Sequence, residues 1–315
     1  MRKSKLLAGA AAAALLGASV LNFSSSSARA AEKPVNPAQL QKVEAALPTE
    51  APAKPQKPRK VLVFTLASGF VHSSIPLGAE TFKVMGEKLG TWESVVSDDK
   101  EMFQPDKLAR FDAVIMESTT GELFGLHRGD YDKMSAQDKE HNDALRKSLV
   151  DFVRSGHGLV GVHAAGDCSY DWPEYGEMMG GYFNGHPWHH VTYKIDDTAS
   201  PLTAMFPKDM PFVIDDETYT FKKEPYSRSK LHVLASIDMS QMSDNDKKGE
   251  NRPYDHDYAL AWVHEFGNGR VFYAAHGHSE NVYWNPTMLK FYLAGIQYAL
   301  GDLKADDAPS AEAAK

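Results

Sequence analysis

Residues 158–169 read Gly-Leu-Val-Gly-Val-His-Ala-Ala-Gly-Asp-Cys-Ser, and this stretch decides the fold class. The short apolar run 159–162 ends abruptly in His163, which is followed by two alanines and a glycine. Such a run between small residues is typical of a strand that is buried on both faces and followed by a tight turn. The stretch therefore predicts a buried strand that places His163 at the edge of a sheet, where many α/β enzymes carry their nucleophile.

Around this stretch, short apolar runs alternate with segments of helical periodicity. The runs predict strands and the periodic segments predict helices, in the order 61–66, 75–89, 93–96, 112–116, 137–155 and 158–163. This alternation is the signature of a parallel sheet with right-handed connections and helices on both faces. After residue 190 short strands follow one another, and Asn268-Gly269 predicts a hairpin turn. We therefore expect one α/β domain over 60–302 with an antiparallel extension.

The two ends of the chain differ from this domain in composition. Residues 1–30 combine a basic start, an alanine-rich apolar run and the small-x-small sequence Ala28-Arg29-Ala30. This pattern predicts a secretory signal peptide cleaved before Ala31, and the short apolar run disfavours the alternative of a membrane anchor. The proline- and alanine-rich residues 31–59 are predicted to be a linker, and 303–315 a disordered tail. We therefore expect an exported protein, either periplasmic or secreted.

Charge and cysteine content restrict the possible partners and chemistry. The formal net charge of −8 argues against nucleic acid and anionic membrane as partners, since both attract basic surfaces. Cys168 is the single cysteine, so no internal disulfide can form. A buried, inert thiol is the favoured interpretation, and a reactive thiol is the alternative.

Polar and small residues follow three of the predicted parallel strands. These segments are 67–72, 117–121 and 163–167. Ligands of open α/β sheets bind at the carboxyl ends of the strands, so the three segments predict a site at one edge. They add His72 and Asp167 to His163 as candidates for contact with a ligand.

Aromatic residues cluster shortly after His163. Trp172, Tyr182 and Trp188 are predicted to stack on a sugar ring, because sugars present apolar faces and polar edges. The same region, 180–190, is rich in glycine and histidine and is expected to be a loop. His189 and His190 are expected to face solvent there.

Three further residues are candidates for acid–base chemistry or metal binding. His186 has its backbone restricted between a glycine and a proline, Glu217 ends an acidic triplet before a strand, and His278 lies past the end of a strand. His276 is two positions earlier, and only one of the two is expected to reach the site. His163, His186 and Glu217 could bind zinc or manganese, although no short metal motif is present. The same groups also suit proton transfer near neutral pH.

Several motifs in order resemble the trehalose-utilisation, or ThuA-like, family. They are GHGLVGVHAA at 156–165, GYFNGHP at 181–187, DETY at 216–219, GNGRVFY at 267–273 and Gly277-His278. The resemblance implies a flavodoxin-like parallel sheet similar to class I glutamine amidotransferases. In those enzymes the turn carries a cysteine nucleophile, whereas this chain has His163. Glutamine hydrolysis is therefore not expected.

The resemblance also implies carbohydrate metabolism, in particular of disaccharides or their 3-keto derivatives. Our leading hypothesis is a hydrolase, lyase or isomerase of a glycoside or keto-sugar outside the cytoplasm. His163 would be the base or a metal ligand, Glu217 and His186 would complete the site, and His278 would donate a proton. An insert at 126–137 would shape the pocket. The alternatives are a non-catalytic carbohydrate-binding protein and a hydrolase that uses Cys168.

Overall fold

A nine-stranded sheet forms the centre of the protein. It is seen in a computed structural model that describes residues 34–124 and 133–310. The strands are β1 Lys60–Phe64, β2 Glu93–Ser97, β3 Ala113–Glu117, β4 Gly158–Val162, β5 Phe183–Ile195, β6 Val213–Phe221, β7 His232–Ile237, β8 Ala259–Phe266 and β9 Gly269–Ala274.

The strand order is β2-β1-β3-β4-β9-β8-β7-β5-β6. The first five strands of this order pair in parallel, and the pairs from β9 to β6 are antiparallel. β4 is fully buried between β3 and β9, as its unbroken apolar sequence requires. The predicted fold class, a flavodoxin-like parallel sheet with an antiparallel extension, is confirmed.

The described residues form seven α-helices, of which the second, third and fourth connect the parallel strands β1, β2, β3 and β4 in turn. They are α1 Pro37–Ala46, α2 Ile75–Leu89, α3 Pro105–Leu108, α4 Ala136–Arg154, α5 Pro173–Met179, α6 Asp244–Lys247 and α7 Pro286–Ala299. α2 ends at Gly90, whose φ of 63° is the left-handed conformation that glycine adopts readily. In the strand order, β2 lies on one side of β1, whereas β3 and then β4 follow on the other side. The crevice between the carboxyl ends of β1 and β3 is therefore a switch point of the kind where α/β proteins bind ligands.

The antiparallel extension differs from its prediction in one respect. The region 180–190, expected to be a loop, lies largely in β5, and the acidic triplet lies in the middle of β6. Three register shifts interrupt the pairing of β5 with β6. Such bulges bend a strand pair, and here β6 contacts the segment that follows β9. The bend brings a distant part of the sheet to the edge of the parallel strands.

The segment predicted as a linker packs on the domain wherever the structure describes it. α1 buries Val43 in the hydrophobic core. The Gln297 side chain accepts a hydrogen bond from the Ala53 backbone nitrogen at 3.1 Å and donates one to its carbonyl at 2.6 Å. These contacts correct the linker prediction for residues 34–59. The Gln297 side chain of α7 satisfies both backbone groups of Ala53, which a free linker would leave to water.

Residues 303–310, predicted to belong to a disordered tail, also make hydrogen bonds with the domain. Ser310 donates its backbone N–H to the Leu231 carbonyl at 2.9 Å, and its hydroxyl accepts from the Val233 nitrogen at 3.0 Å. A ring nitrogen of His232 lies 2.7 Å from the Ala308 carbonyl. The start of β7 therefore obtains its missing backbone partners from the tail, which corrects this prediction.

Two sequence predictions lie outside the described residues. These are the signal peptide over 1–30 and residues 126–132 of the insert predicted at 126–137. Within the described ranges, no helix has the length and apolar character needed to cross a membrane.

We expect Arg59→Ala to destabilise the fold by about 3–5 kcal/mol, because it leaves a buried charge without its partner. Arg59 Nε lies 3.1 Å from the Asp302 carboxylate, whose side chain is fully buried. The free energy of unfolding, measured in urea, checks this. The control is Lys60→Ala, which removes an exposed ion pair with Glu93 and is expected to cost less than about 1 kcal/mol. Equal costs for the two variants would contradict the prediction.

Candidate functional site

His163 lies in a strained turn directly after β4. Its φ is 47°, a left-handed value that is uncommon for any residue other than glycine. The Tyr273 hydroxyl donates to the His163 carbonyl at 2.5 Å, and His163 Nδ1 donates to the Ala275 carbonyl at 2.8 Å. A carbonyl only accepts, so Nδ1 carries a proton, and Nε2 is the ring nitrogen that faces Glu217. Strain of this kind concentrates at functional sites.

Four side chains from four separate elements meet at this turn. They are His72 after β1, His163 after β4, Glu217 in β6 and His278 after β9, and one potential ligand atom of each lies within 4.8 Å of the others. His72, His163 and Glu217 are buried, and His278 is partly exposed. We call these four residues the histidine–glutamate cluster.

The Asp216 carboxylate fixes the position of His278. It accepts backbone N–H groups from Gly277 at 2.8 Å, His278 at 3.1 Å and Ser279 at 2.8 Å. Gly277 has a φ of 141°, and a Cβ there would lie 2.8 Å from the Tyr283 hydroxyl. Sequence reasoning missed Asp216, although alternation along a strand implies that it faces away from Glu217.

Glu217 contacts imidazoles through both carboxylate oxygens. Its Oε2 lies 3.5 Å from His163 Nε2 and 3.3 Å from His278 Nδ1. Its Oε1 lies 3.2 Å from Nδ1 of His186, whose side chain is 46% exposed. His186 therefore lies at the solvent side of the cluster, next to Glu217 and outside the group of four.

Burial and neighbouring charges shift the pKa values in the cluster. Burial would raise the pKa of Glu217, but the adjacent imidazoles of His163 and His278 outweigh it and hold that pKa well below its usual range. Burial, together with the other two imidazoles of the cluster, lowers the pKa of His72 to about 3. The Glu217 carboxylate raises the pKa of His278. The cluster therefore combines an ionised carboxylate with at least one neutral imidazole at neutral pH.

The donor set fits a divalent metal ion. Nδ1 of His72, Nε2 of His163 and Nδ1 of His278 are buried and have no hydrogen-bond partner among the described residues. Neutral imidazoles with one carboxylate are the ligands that zinc and related ions take, and bonds of about 2.1 Å put neighbouring ligands about 3.4 Å apart. The distances from Glu217 to His163 and His278 match that spacing. The hydrogen bond from His163 to Ala275 is of the kind that orients a metal-binding imidazole.

Other predicted histidines lie elsewhere. His276 is fully buried between the Tyr193 and Thr218 hydroxyls, and this burial lowers its pKa to about 4. His189 and His190 are exposed, and His190 pairs with Asp215. Asp167 is half-buried near the turn and accepts a hydrogen bond from the Tyr170 hydroxyl.

The three aromatics predicted to stack on sugar are part of the core instead. The exposed fractions of Trp172, Tyr182 and Trp188 are 4%, 8% and 4%. The Tyr182 hydroxyl donates to the Trp172 carbonyl at 2.7 Å, and the Trp188 indole donates to the Asp246 carbonyl at 2.9 Å. Their faces pack on neighbouring side chains, so the prediction of sugar contact is corrected. The polar groups of Tyr182 and Trp188, which suggested contact with a ligand, donate hydrogen bonds to backbone carbonyls instead.

Cys168 is fully buried, and burial raises its thiol pKa to about 12. A protonated, inaccessible thiol is a poor nucleophile. The burial expected for Cys168 is confirmed.

The fold and the cluster together define a class: an α/β protein with a parallel sheet and a polar centre at the carboxyl ends of its strands. The chain belongs to the ThuA family, described as trehalose utilisation, whose family model matches residues 60–299. Membership indicates a carbohydrate-related function.

Solved structures support the fold. A protein of Bacteroides uniformis described as ThuA-like superposes with a TM-score of 0.56 at 20% identity, covering 79% of this chain and 94% of its own. A ThuA-like protein of Parabacteroides merdae gives 0.52 at 14% identity, covering 81% and 95%. At these identities the likeness shows the fold alone. No curated protein matches the sequence significantly.

Another buried carboxyl group lies at the end of β3. Glu117 is fully buried, and its Oε1 accepts a hydrogen bond from the Tyr283 hydroxyl at 2.6 Å. Its Oε2 has no hydrogen-bond partner among the described residues. Burial raises the pKa of Glu117 from 4.5 to about 8, so the folded protein keeps this carboxyl protonated at neutral pH.

We expect Glu117→Gln to remove a pH dependence of stability. In the wild type, the unfolded chain ionises Glu117 above about pH 4.5, whereas the folded chain keeps the proton until about pH 8. This contribution is complete below pH 4.5 and is lost as the pH rises to 8, by at most about 1.4 kcal/mol per pH unit. Unfolding in urea between pH 5 and 9 measures it. Glu93→Gln on exposed β2 is the control, and parallel stability curves for wild type and Glu117→Gln would contradict the prediction.

Proposed function

We propose that the protein is a divalent-metal-dependent enzyme that cleaves 3-keto glycosides by elimination. The single observation that supports this most is the meeting of three imidazole nitrogens, none with a hydrogen bond among the described residues, and one carboxylate oxygen at the edge of the parallel strands. Family membership supports carbohydrate as the substrate class. Zinc and manganese are the candidate ions.

Under this proposal, His72, His163, His278 and Glu217 hold the ion. His163 is thereby assigned as a ligand rather than a base, because its side chain is fully buried and its other nitrogen is bound to Ala275. When bound, the ion supplies Lewis-acid polarisation of the C3 carbonyl. Zinc and manganese need no change of oxidation state for this role.

His186 is the proposed base. It is the partly exposed imidazole beside the cluster, and Oε1 of Glu217 orients it through Nδ1. His186 removes the C2 proton, the C1–C2 double bond forms, and the bond from C1 to the glycosidic oxygen breaks. The proton then passes to that oxygen, which leaves as an alcohol. The products are a 3-keto-1,2-enol ether of the sugar ring and the free alcohol, with no net oxidation.

The predicted export would place this reaction outside the cytoplasm. The acidic charge of the chain is consistent with a neutral saccharide substrate and with no nucleic-acid partner. A non-catalytic carbohydrate-binding role is the alternative, and the experiment below separates the two.

We expect purified protein to contain about one zinc or manganese per chain and to release glucose from 3-keto-trehalose. Chelation should abolish turnover, and the added ion should restore it. His163→Ala should lose the ion, because one of four ligands is removed. His186→Ala should keep the ion and lose about 10²–10⁴-fold in kcat, the usual contribution of a general base. Metal content by elemental analysis and glucose release are the two measurements.

The control is His190→Ala, an exposed histidine in the same strand that should leave both measurements unchanged. Turnover that is unaffected by chelation would contradict the metal assignment. Sugar binding without turnover in every metal-loaded sample would contradict the enzyme and favour the binding role.

A further inference from the structure

Phe70 is an exposed aromatic residue beside the histidine–glutamate cluster. Its exposed fraction is 65%, and in the described parts of the chain only Met210 and Tyr254 among the other large hydrophobic residues are exposed by more than half. Exposing a phenylalanine ring to water costs the free energy that burial would gain. An exposed phenylalanine ring beside a polar cluster gives a ligand at that cluster an apolar surface to cover.

The Phe70 ring lies directly against two members of the cluster. Its centroid is 4.8 Å from that of His72 in an edge-on arrangement and 6.3 Å from that of His278, with the two planes 17° apart. Val71, next in the chain, is 37% exposed. The Phe70 ring forms an apolar wall on one side of the cluster, and His186 lies beside Glu217 as a polar group.

The backbone that carries Phe70 is fixed from both sides by one residue. The Thr120 hydroxyl accepts from the Gly69 nitrogen at 3.2 Å and donates to the Phe70 carbonyl at 2.8 Å. Ser68 donates its backbone N–H to the Thr120 carbonyl at 3.0 Å. The ring is thus presented by an ordered loop, and little conformational freedom remains to be lost when a ligand binds.

We propose that Phe70 is a substrate-binding residue that stacks on the apolar face of the reacting pyranose ring. This inference rests on the proposed function for the identity of the reacting ring. A ring that contacts the ion through its C3 oxygen has to lie next to His72 and His278, which is where Phe70 lies. Phenylalanine has no polar group, so it fits the C–H face of a sugar, while the hydroxyl edge faces His186.

The test compares Phe70→Ala with wild type in metal content, in kinetics on 3-keto-trehalose and in calorimetric binding of unoxidised trehalose. We expect at least a tenfold rise in KM and in the trehalose Kd, with kcat changed less than threefold and metal content unchanged. Phe70→Trp should restore KM and Kd to within about threefold of wild type, because it restores an aromatic face. Met210→Ala, which removes an equally exposed apolar side chain outside the cluster, should change none of these values.

Each outcome separates this inference from the proposed function. Wild-type turnover with unchanged KM and Kd in Phe70→Ala overturns the role of Phe70 and leaves the enzyme assignment intact. Sugar binding without turnover, weakened tenfold in Phe70→Ala, supports Phe70 and overturns the enzyme assignment. Loss of the ion in Phe70→Ala would show that the ring maintains the cluster, which overturns the inference. The inference is also overturned if the wild-type protein neither binds nor converts saccharide.

Discussion

The three hydrogen bonds accepted by Asp216 hold the candidate site together. They tie the middle of β6 to the segment that follows β9, two parts of the chain about sixty residues apart. Glu217 is the next residue of β6, so the same contact that fixes His278 also brings a carboxylate to it. The three backbone N–H donors satisfy the oxygens of this buried carboxyl group, so its burial costs little free energy. Together with the contact between Thr218 and His276, these hydrogen bonds hold the β5–β6 pair where Glu217 lies near His163.

The fold and one half of the site follow from local sequence patterns. The apolar run before His163 is long enough for one buried strand, and strand ends of a parallel sheet share an edge, so the neighbourhood of His72 and His163 was predictable. Glu217 lies at that edge on a strand pair with three register shifts, and such bulges leave no clear sequence signal. Trp188 failed as a sugar contact for a related reason. Its indole finds a backbone carbonyl in a distant segment, which a pattern of neighbouring residues does not reveal.

Burial of the imidazole nitrogens of the cluster without hydrogen bonds costs free energy, and no described group of the cluster offsets it with a hydrogen bond. Buried polar atoms are nearly always hydrogen-bonded, and each unsatisfied one costs on the order of 1–3 kcal/mol. Three such nitrogens converge on one point, and a neutral His72 adds no charge to repel a cation. The parallel sheet tolerates this because its strands and α7 provide a large apolar core. A cation at that point would satisfy all three nitrogens at once and would add its binding free energy to the stability of the fold.

The pairing of the C-terminal tail with β7 has a consequence for behaviour in solution. A strand with unpaired N–H and C=O groups is a template for another copy of the same strand, and proteins protect such edges from self-association. Residues 308–310 occupy the backbone groups of Leu231 and Val233 that β5 does not reach. The tail thereby covers the backbone groups at the start of β7, so that a neighbouring molecule has no free C=O group of Leu231 or N–H group of Val233 on which to add a strand.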